Sequence, residues 1–232
     1  MTNKGIESSV IDTFVEMLKD SCRERNEDDL SFSLNGGDRL VNADNMFSVC
    51  NRFFLVEMKS WKNNISDEDR KPSAHRLCLG LSLNSEIRPW HRQCHYIMWG
   101  AINASTATLT PVYSIYEDIV CQPATLPGCQ ALSTPVNPQT AYGTDLINAT
   151  LTNTAGLTSP EFFHYLEWLL GPRSGPFTPT AAFMTEPSPI ALIGSSSNQR
   201  VYGQIFGNFG QLALWGDDPL RKKLQPKRPY RP

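Results

Sequence analysis

Val41–Trp61 reads VNADNMFSVCNRFFLVEMKSW. This stretch contains two apolar runs, Met46–Val49 and Phe53–Val56, which are separated by Cys50-Asn51-Arg52. Two apolar runs joined by so short a link are typical of a β-hairpin. The stretch therefore predicts two adjacent antiparallel strands.

The charged side chains of this hairpin are confined to one face. Because side chains alternate between the two faces of a strand, Glu57 and Lys59 project to the same side. A two-residue turn at Cys50-Asn51 would place Asp44 opposite Glu57, whereas a turn at Asn51-Arg52 would place it opposite Lys59. In either register Asp44 joins the face of Glu57 and Lys59.

Two carboxylates and an amine on one face of an apolar hairpin require compensation. A divalent cation bound by Asp44 and Glu57 would provide it, and oxygen ligands suit Mg²⁺ or Mn²⁺. Lys59 would then orient or deprotonate a water molecule and offset charge on a phosphate. A Glu-x-Lys pair on an amphipathic strand is also common in a solvated salt bridge, so the residues alone leave both interpretations open.

Asp44 followed by Glu57-Met58-Lys59 resembles the signature of the PD-(D/E)XK nuclease superfamily, in which an Asp on one strand precedes Glu-x-Lys on the next. Ala43 stands where that family often has Pro. The resemblance implies an α/β fold with a mixed sheet and a restriction-endonuclease-like αβββαβ core. It also implies that Asp44 and Glu57 bind Mg²⁺ or Mn²⁺ and that Lys59 is catalytic.

The elements around the hairpin follow the order of that core. Residues 6–22 carry the apolar stripe of an amphipathic helix, and residues 30–34 alternate as a strand. After the hairpin, Ala74–Leu83 is a predicted helix and Cys94–Ile102 a buried strand. Glu7 falls within the apolar arc of the first helix. The resemblance gives Glu7 a place near the metal, whereas the helix macrodipole alone would also favour an acid there.

Basic residues supply the expected contacts with nucleic acid. In the resembled fold the second helix directs a polar or basic residue toward the scissile phosphate, and His75 or Arg76 would fill that role unless the pair faces solvent. Lys62 and Lys71 lie nearby in the sequence. Residues 221–232 could contact a phosphate backbone or form a flexible, solubilising end. The candidates in this tail are Arg221, Lys222, Lys223, Lys227 and Arg228.

The chain divides by composition into three parts. Residues 1–103 form the predicted nuclease-like core, residues 104–220 an extension packed on it as the same domain or a small subdomain, and residues 221–232 the basic tail. The extension is predicted to contain one helix, N-capped by Ser159 and ended by Gly171-Pro172. Short strands are predicted at Ile190–Ile193, Val201–Phe206 and Leu212–Trp215.

Composition limits the classes of protein that fit. A chain of 232 residues that is 40% hydrophobic can bury a globular core. The sequence has no run of about 18 apolar residues, and Met1–Ser9 lacks the pattern of a secretory signal, so we expect a cytoplasmic location and no membrane span. The six cysteines form no C-x-x-C pair, and reduced thiols are expected. Residues 1–220 hold 15 basic and 23 acidic residues, a formal charge of −8 that repels phosphate unless a metal intervenes.

Three functional hypotheses follow. The first is a metal-dependent endonuclease, with DNA as the expected substrate and, by analogy with the family, a homodimer as the expected assembly. The second is a non-catalytic subunit that keeps the nuclease fold and binds or scaffolds a partner protein. The third is a structural or interaction protein in which Glu57 and Lys59 form a surface pair.

Overall fold

The computed structural model describes residues 4–34, 41–129, 137–171, 190–195, 201–208, 210–212 and 214. The predicted basic tail, with Arg221, Lys222, Lys223, Lys227 and Arg228, lies outside the described residues. In chain order the described elements are α1 (Lys4–Arg25), β1 (Asp29–Ser33), β2 (Asn45–Val49), β3 (Arg52–Trp61), a 3₁₀ helix (Lys62–Arg70), α2 (Pro72–Leu83), α3 (Ile87–Cys94), β4 (His95–Asn103), β5 (Thr108–Ile115), α4 (Tyr116–Val120), β6 (Ala141–Tyr142), α5 (Gly143–Leu151), α6 (Ser159–Leu170), β7 (Ile190–Ser195) and β8 (Val201–Phe206).

The strands form one mixed sheet with the order β6-β5-β4-β3-β2-β1-β7-β8. Strands β1, β2 and β3 are successive antiparallel neighbours, and β4 is parallel to β3. A parallel neighbour requires a crossover connection, which the 3₁₀ helix, α2 and α3 provide. The fold is therefore of the mixed α/β class, as the sequence predicted.

Strand β3 lies at the centre of the sheet and is buried on both faces. On one face Phe54 meets Phe14 of α1, with 6.5 Å between the ring centroids. On the other face Phe53 stacks on Phe162 of α6 at 5.3 Å. Two covered faces explain why this strand has a nearly continuous apolar sequence rather than an alternating one.

The hairpin turn uses Cys50 and Asn51. Val49 pairs with Arg52, and the φ angles of Cys50 and Asn51 are 50° and 60°. Two successive residues with positive φ are the requirement of a type I′ turn, whose twist matches that of the flanking strands. Of the two predicted registers, the structure therefore has the one that places Asp44 opposite Glu57.

Helix α1 forms because apolar residues recur every fourth position. Val10, Phe14, Leu18 and Cys22 are at most 1% exposed, as expected for one face of an amphipathic helix against a sheet. Helix α6 begins one residue earlier than predicted. Thr158, not Ser159, is its N-cap.

The extension contains more helix than predicted. Residues 104–220 include the helices α4, α5 and α6, where one helix was expected. Helix α5 was missed because its sequence, GTDLINATL, is rich in residues of low helix propensity, yet Leu146 and Ile147 are fully buried and packing overrides propensity. The strand predicted at Leu212–Trp215 is also wrong in part, since residues 210–212 and 214 are helical. Strands β5 and β6 extend one edge of the sheet, and β7 and β8 extend the other.

The expectation of reduced thiols is wrong for one pair of cysteines. Cys78 in α2 and Cys121 after α4 form a disulfide with a Cα–Cα distance of 5.5 Å. Their separation of 43 residues in the chain hid this pairing from the sequence pattern. Among the described residues, no helix has both the length and the apolar composition needed to cross a membrane.

Candidate active site

Asp44 lies immediately before β2, at the point where the hairpin ladder ends. Its backbone N–H donates to the carbonyl of Val56 at 3.0 Å, which continues the register toward Glu57. Its carboxylate oxygen Oδ2 accepts the backbone N–H of Met58 at 2.6 Å. Pairing between β2 and β3 starts only at Asn45 and Val56, so β2 supplies no backbone acceptor for the Met58 N–H. The Asp44 carboxylate supplies that acceptor instead.

Glu57 and Lys59 project from the same face of β3, as the parity of the strand predicts. The Lys59 ammonium lies 2.5 Å from Glu57 Oε1 and 2.7 Å from Glu68 Oε1. The Lys71 ammonium contacts the same Glu57 oxygen and lies 2.9 Å from Glu68 Oε1. Two carboxylates and two ammonium groups thus form one cluster, in which Glu57 and Glu68 are at most 1% exposed. The hypothesis of a Glu57–Lys59 surface pair is therefore wrong.

Glu68 is a site residue that the sequence analysis did not identify. It lies in the 3₁₀ helix, where residues three apart share a face, so Ile65, Glu68 and Lys71 align. Ile65 and Glu68 are both buried. The hydroxyl of Tyr116 donates to Glu68 Oε2 at 2.6 Å. The signal available in the sequence was the three-residue spacing of Ile65, Glu68 and Lys71, which places an acid and a base on the apolar face of the helix.

Glu7 of α1 interacts electrostatically with Asp44, Lys59 and Lys71. Burial and the nearby charge of Asp44 raise its pKa, while Lys59, Lys71 and a hydrogen bond from the Ser60 backbone act in the opposite direction. Glu7 is only half-buried.

The backbone bends where these groups meet. The register between β3 and β4 shifts between Lys59 and Trp61. Such an irregularity locally redirects side chains in a sheet and is common next to functional sites. Gly100 allows the close approach here, because a Cβ on it would lie 2.8 Å from the carbonyl oxygen of Ser60.

The cluster separates the pKa values of its two buried carboxyl groups. Burial, Asp44 and Glu68 together raise the pKa of Glu57 to about 8. Burial opposes ionisation of Glu68 as well, but Lys59, Lys71 and the Tyr116 hydroxyl lower its pKa to about 2. For Lys59, burial lowers the pKa, and the stronger attraction of Glu57 and Glu68 raises it above the usual value. Lys59 therefore holds its proton at neutral pH, which disfavours the predicted role of deprotonating water.

Of the remaining predicted residues that the structure describes, Lys71 has contacts with this cluster. His75 bonds through Nε2 to the Asp69 carboxylate at 3.1 Å, and Arg76 is exposed on α2. Lys62 is exposed, with its ammonium 5.9 Å from the centroid of the Trp99 ring. Lys71, which was expected only as a contact for nucleic acid, is the basic residue that α2 brings to Glu57. It does so from the N-cap position of that helix.

The fit of a divalent cation depends on Glu57. Within the part of the chain that the structure describes, no group of three or more His, Cys, Asp or Glu side chains is already arranged as a metal site. The two ammonium groups lie between the acids instead. However, Glu57 Oε2 is buried without a hydrogen-bond partner. When Glu57 is ionised, Glu7, Asp44, Glu57 and Glu68 against Lys59 and Lys71 leave a formal excess of two negative charges. An unsatisfied carboxylate oxygen and two surplus negative charges suit one hard divalent cation.

Comparison with protein-family models, with curated proteins and with solved structures found no match for this chain.

Proposed function

We propose that this protein is a metal-dependent endonuclease of the PD-(D/E)XK type that hydrolyses phosphodiester bonds in DNA. The observation that carries the proposal is the convergence of Asp44, Glu57 and Lys59 at one end of a buried hairpin, with Glu7 of the first helix beside them. The order of elements through residue 103 supports it. One helix, three antiparallel strands, a helical crossover and a parallel strand follow one another as in the αβββαβ core.

Asp44 and Glu57 are the proposed ligands of Mg²⁺ or Mn²⁺. When bound, the cation would supply Lewis-acid stabilisation of charge on the phosphate oxygens. Lys59 acts as a fixed positive charge, because Glu57 and Glu68 keep it protonated. In that form it donates hydrogen bonds to a phosphate oxygen or to the attacking water, which stabilises the negative charge that develops in hydrolysis.

Glu7 is the proposed acceptor for the proton of the water. Its raised pKa brings its basicity closer to that of an efficient general base at neutral pH. Lys71 adds a second positive charge at the mouth of the cluster, where its side chain is 33% exposed. A partly exposed ammonium next to the reacting group is suited to hold the phosphate backbone of the substrate.

Cleavage assays with defined variants test this function. Wild type, Asp44→Asn and Lys59→Met would be incubated with plasmid, single-stranded DNA and RNA, with Mg²⁺, Mn²⁺ or chelator. We expect cleavage of DNA only with metal, and a loss of at least about 100-fold in each variant. Asp67→Asn is the matched control, because Asp67 is a half-exposed carboxylate of the neighbouring 3₁₀ helix. Equal cleavage by Asp44→Asn and wild type would refute the assignment, whereas cleavage of RNA alone would correct the substrate.

A second candidate function is that of a non-catalytic subunit with a nuclease-like fold. The observation that favours it is the mutual neutralisation of Glu57, Glu68, Lys59 and Lys71, which needs no metal to hold the charges in place. The two candidates differ in calorimetry as well as in cleavage. Binding of Mn²⁺ that depends on Asp44, without cleavage of any nucleic acid, would favour the scaffolding role.

A further inference from the structure

The backbone that carries Asp44 into the site passes through an unusual conformation two residues earlier. Asn42 has a φ of 54°, in the left-handed region. Asparagine tolerates this region better than most residues, but the conformation persists only where the surroundings hold it. Asn42 is 1% exposed, so those surroundings are protein groups.

Two side chains hold Asn42 from different elements. His95, the first residue of β4, places Nε2 2.9 Å from the Asn42 carbonyl oxygen. The Asn42 side-chain amide donates to the Ser73 hydroxyl of α2 at 3.0 Å. His95 thus contacts the backbone of Asn42, and Ser73 contacts its side chain. They connect the position of Asp44 to β4 and to the helix that carries Lys71.

The Asn42 carbonyl oxygen determines where the protons of this network lie. A carbonyl oxygen can only accept, so His95 carries its proton on Nε2. In the neutral ring Nδ1 is then an acceptor, and the Tyr165 hydroxyl, 2.8 Å away, donates to it. The same hydroxyl oxygen accepts from Nδ1 of His91, also at 2.8 Å. His91, Tyr165 and His95 therefore form a buried chain in which Tyr165 donates to the His95 tautomer able to bond Asn42.

We propose that His95 is a positioning residue for Asp44, held in the required tautomer by Tyr165 and acting through the backbone of Asn42. The proposal rests on the proposed function in so far as Asp44 is a metal ligand. Its structural part stands separately, because the Met58 amide donates to the Asp44 carboxylate and reports where that side chain lies. Outer groups of this kind commonly change metal affinity by about 10- to 100-fold.

The test compares two substitutions of His95 that differ in one hydrogen bond. Glutamine can place a side-chain N–H donor near the position of Nε2, whereas leucine fills the space without a donor. Hydrogen exchange of the Met58 amide and titration with Mn²⁺ by calorimetry would be measured on the full chain. For His95→Leu we expect protection of Met58 to fall about tenfold and the Mn²⁺ dissociation constant to rise about tenfold. For His95→Gln we expect both to stay within about threefold of wild type.

Two further variants keep the result interpretable. Tyr96 is the residue after His95, and its hydroxyl donates to the Gln93 carbonyl at 2.6 Å. Tyr96→Phe removes this hydroxyl and should leave both Met58 protection and the Mn²⁺ dissociation constant unchanged. Ser73→Ala is a milder loss on the Asn42 side chain and replaces His95→Leu if that variant does not fold. It should lower Met58 protection about threefold.

The outcomes separate the proposal from the function on which it rests. Unchanged Met58 protection in both His95→Leu and Ser73→Ala would overturn the positioning role, and so would equal losses in His95→Leu and His95→Gln. If wild type binds no Mn²⁺ but Met58 protection follows the expected order, the positioning role stands and the metal-dependent function fails.

Discussion

Replacing Glu68 with glutamine tests the charge cluster directly. The amide keeps the shape of the side chain and an oxygen for the Tyr116 hydroxyl, but it removes the negative charge that faces Lys59 and Lys71. Breaking a buried ion pair at one partner costs about 3–5 kcal/mol. Because the Lys71 side chain is 33% exposed, solvent screens its share, and we expect a loss near the lower end, about 3 kcal/mol. In a chain of this size that lowers Tm by roughly 6–12 °C.

The dependence on pH gives this prediction a second observable. The pKa of Glu68 is lowered from 4.5 to about 2 in the folded protein, so its stabilising effect is complete above the unfolded value and is lost as pH falls through the folded value. The difference in unfolding free energy between wild type and Glu68→Gln should therefore shrink between about pH 4.5 and 2.

Urea denaturation across this pH range is the assay, with Asp67→Asn as control. Asp67 lies one residue away, is 47% exposed and pairs only with Arg70 at 3.4 Å among its described contacts. Its substitution should change stability by less than about 0.5 kcal/mol. The reasoning is refuted if Glu68→Gln costs no more than Asp67→Asn, or if its cost does not decrease in acid.

Three further predictions concern binding and packing. Mn²⁺ affinity should rise up to about tenfold per pH unit below pH 8 and level off above it, because the cation competes with the proton of Glu57, whose pKa is about 8. Calorimetry in buffers of different ionisation enthalpy should show that about one proton is released on binding. A flat pH profile would contradict Glu57 as a ligand. Gly100→Ala should destabilise the protein by about 1–3 kcal/mol in thermal denaturation, since its Cβ meets a backbone carbonyl at 2.8 Å, whereas Gly5→Ala, with open space around it, should not destabilise. Reduction of the Cys78–Cys121 disulfide should cost about 2–4 kcal/mol, measured by urea denaturation with and without reductant; equal midpoints would show that the bridge adds nothing.

Several elements of this fold were predictable because their signals are local. Hydrophobic periodicity located α1, the β2–β3 hairpin and β4, and strand parity placed Glu57 and Lys59 on one face. The extension was less predictable. Helix α5 has weak helical propensity and forms where Leu146 and Ile147 pack against the core. A pattern in a single segment does not show how much apolar surface the rest of the chain offers to bury it.

The sequence by itself determined that Asp44, Glu57 and Lys59 share a face, because a strand has a period of two in any tertiary setting. Only the tertiary structure decided which partners those charges have. Glu68 and Lys71 enter the cluster from the connection that crosses over to β4. The physical reason is that backbone geometry sets which side of an element a residue occupies, whereas the distance between charges on different elements depends on how those elements pack. That packing made Glu57 a buried carboxyl of raised pKa and Lys59 a permanent cation.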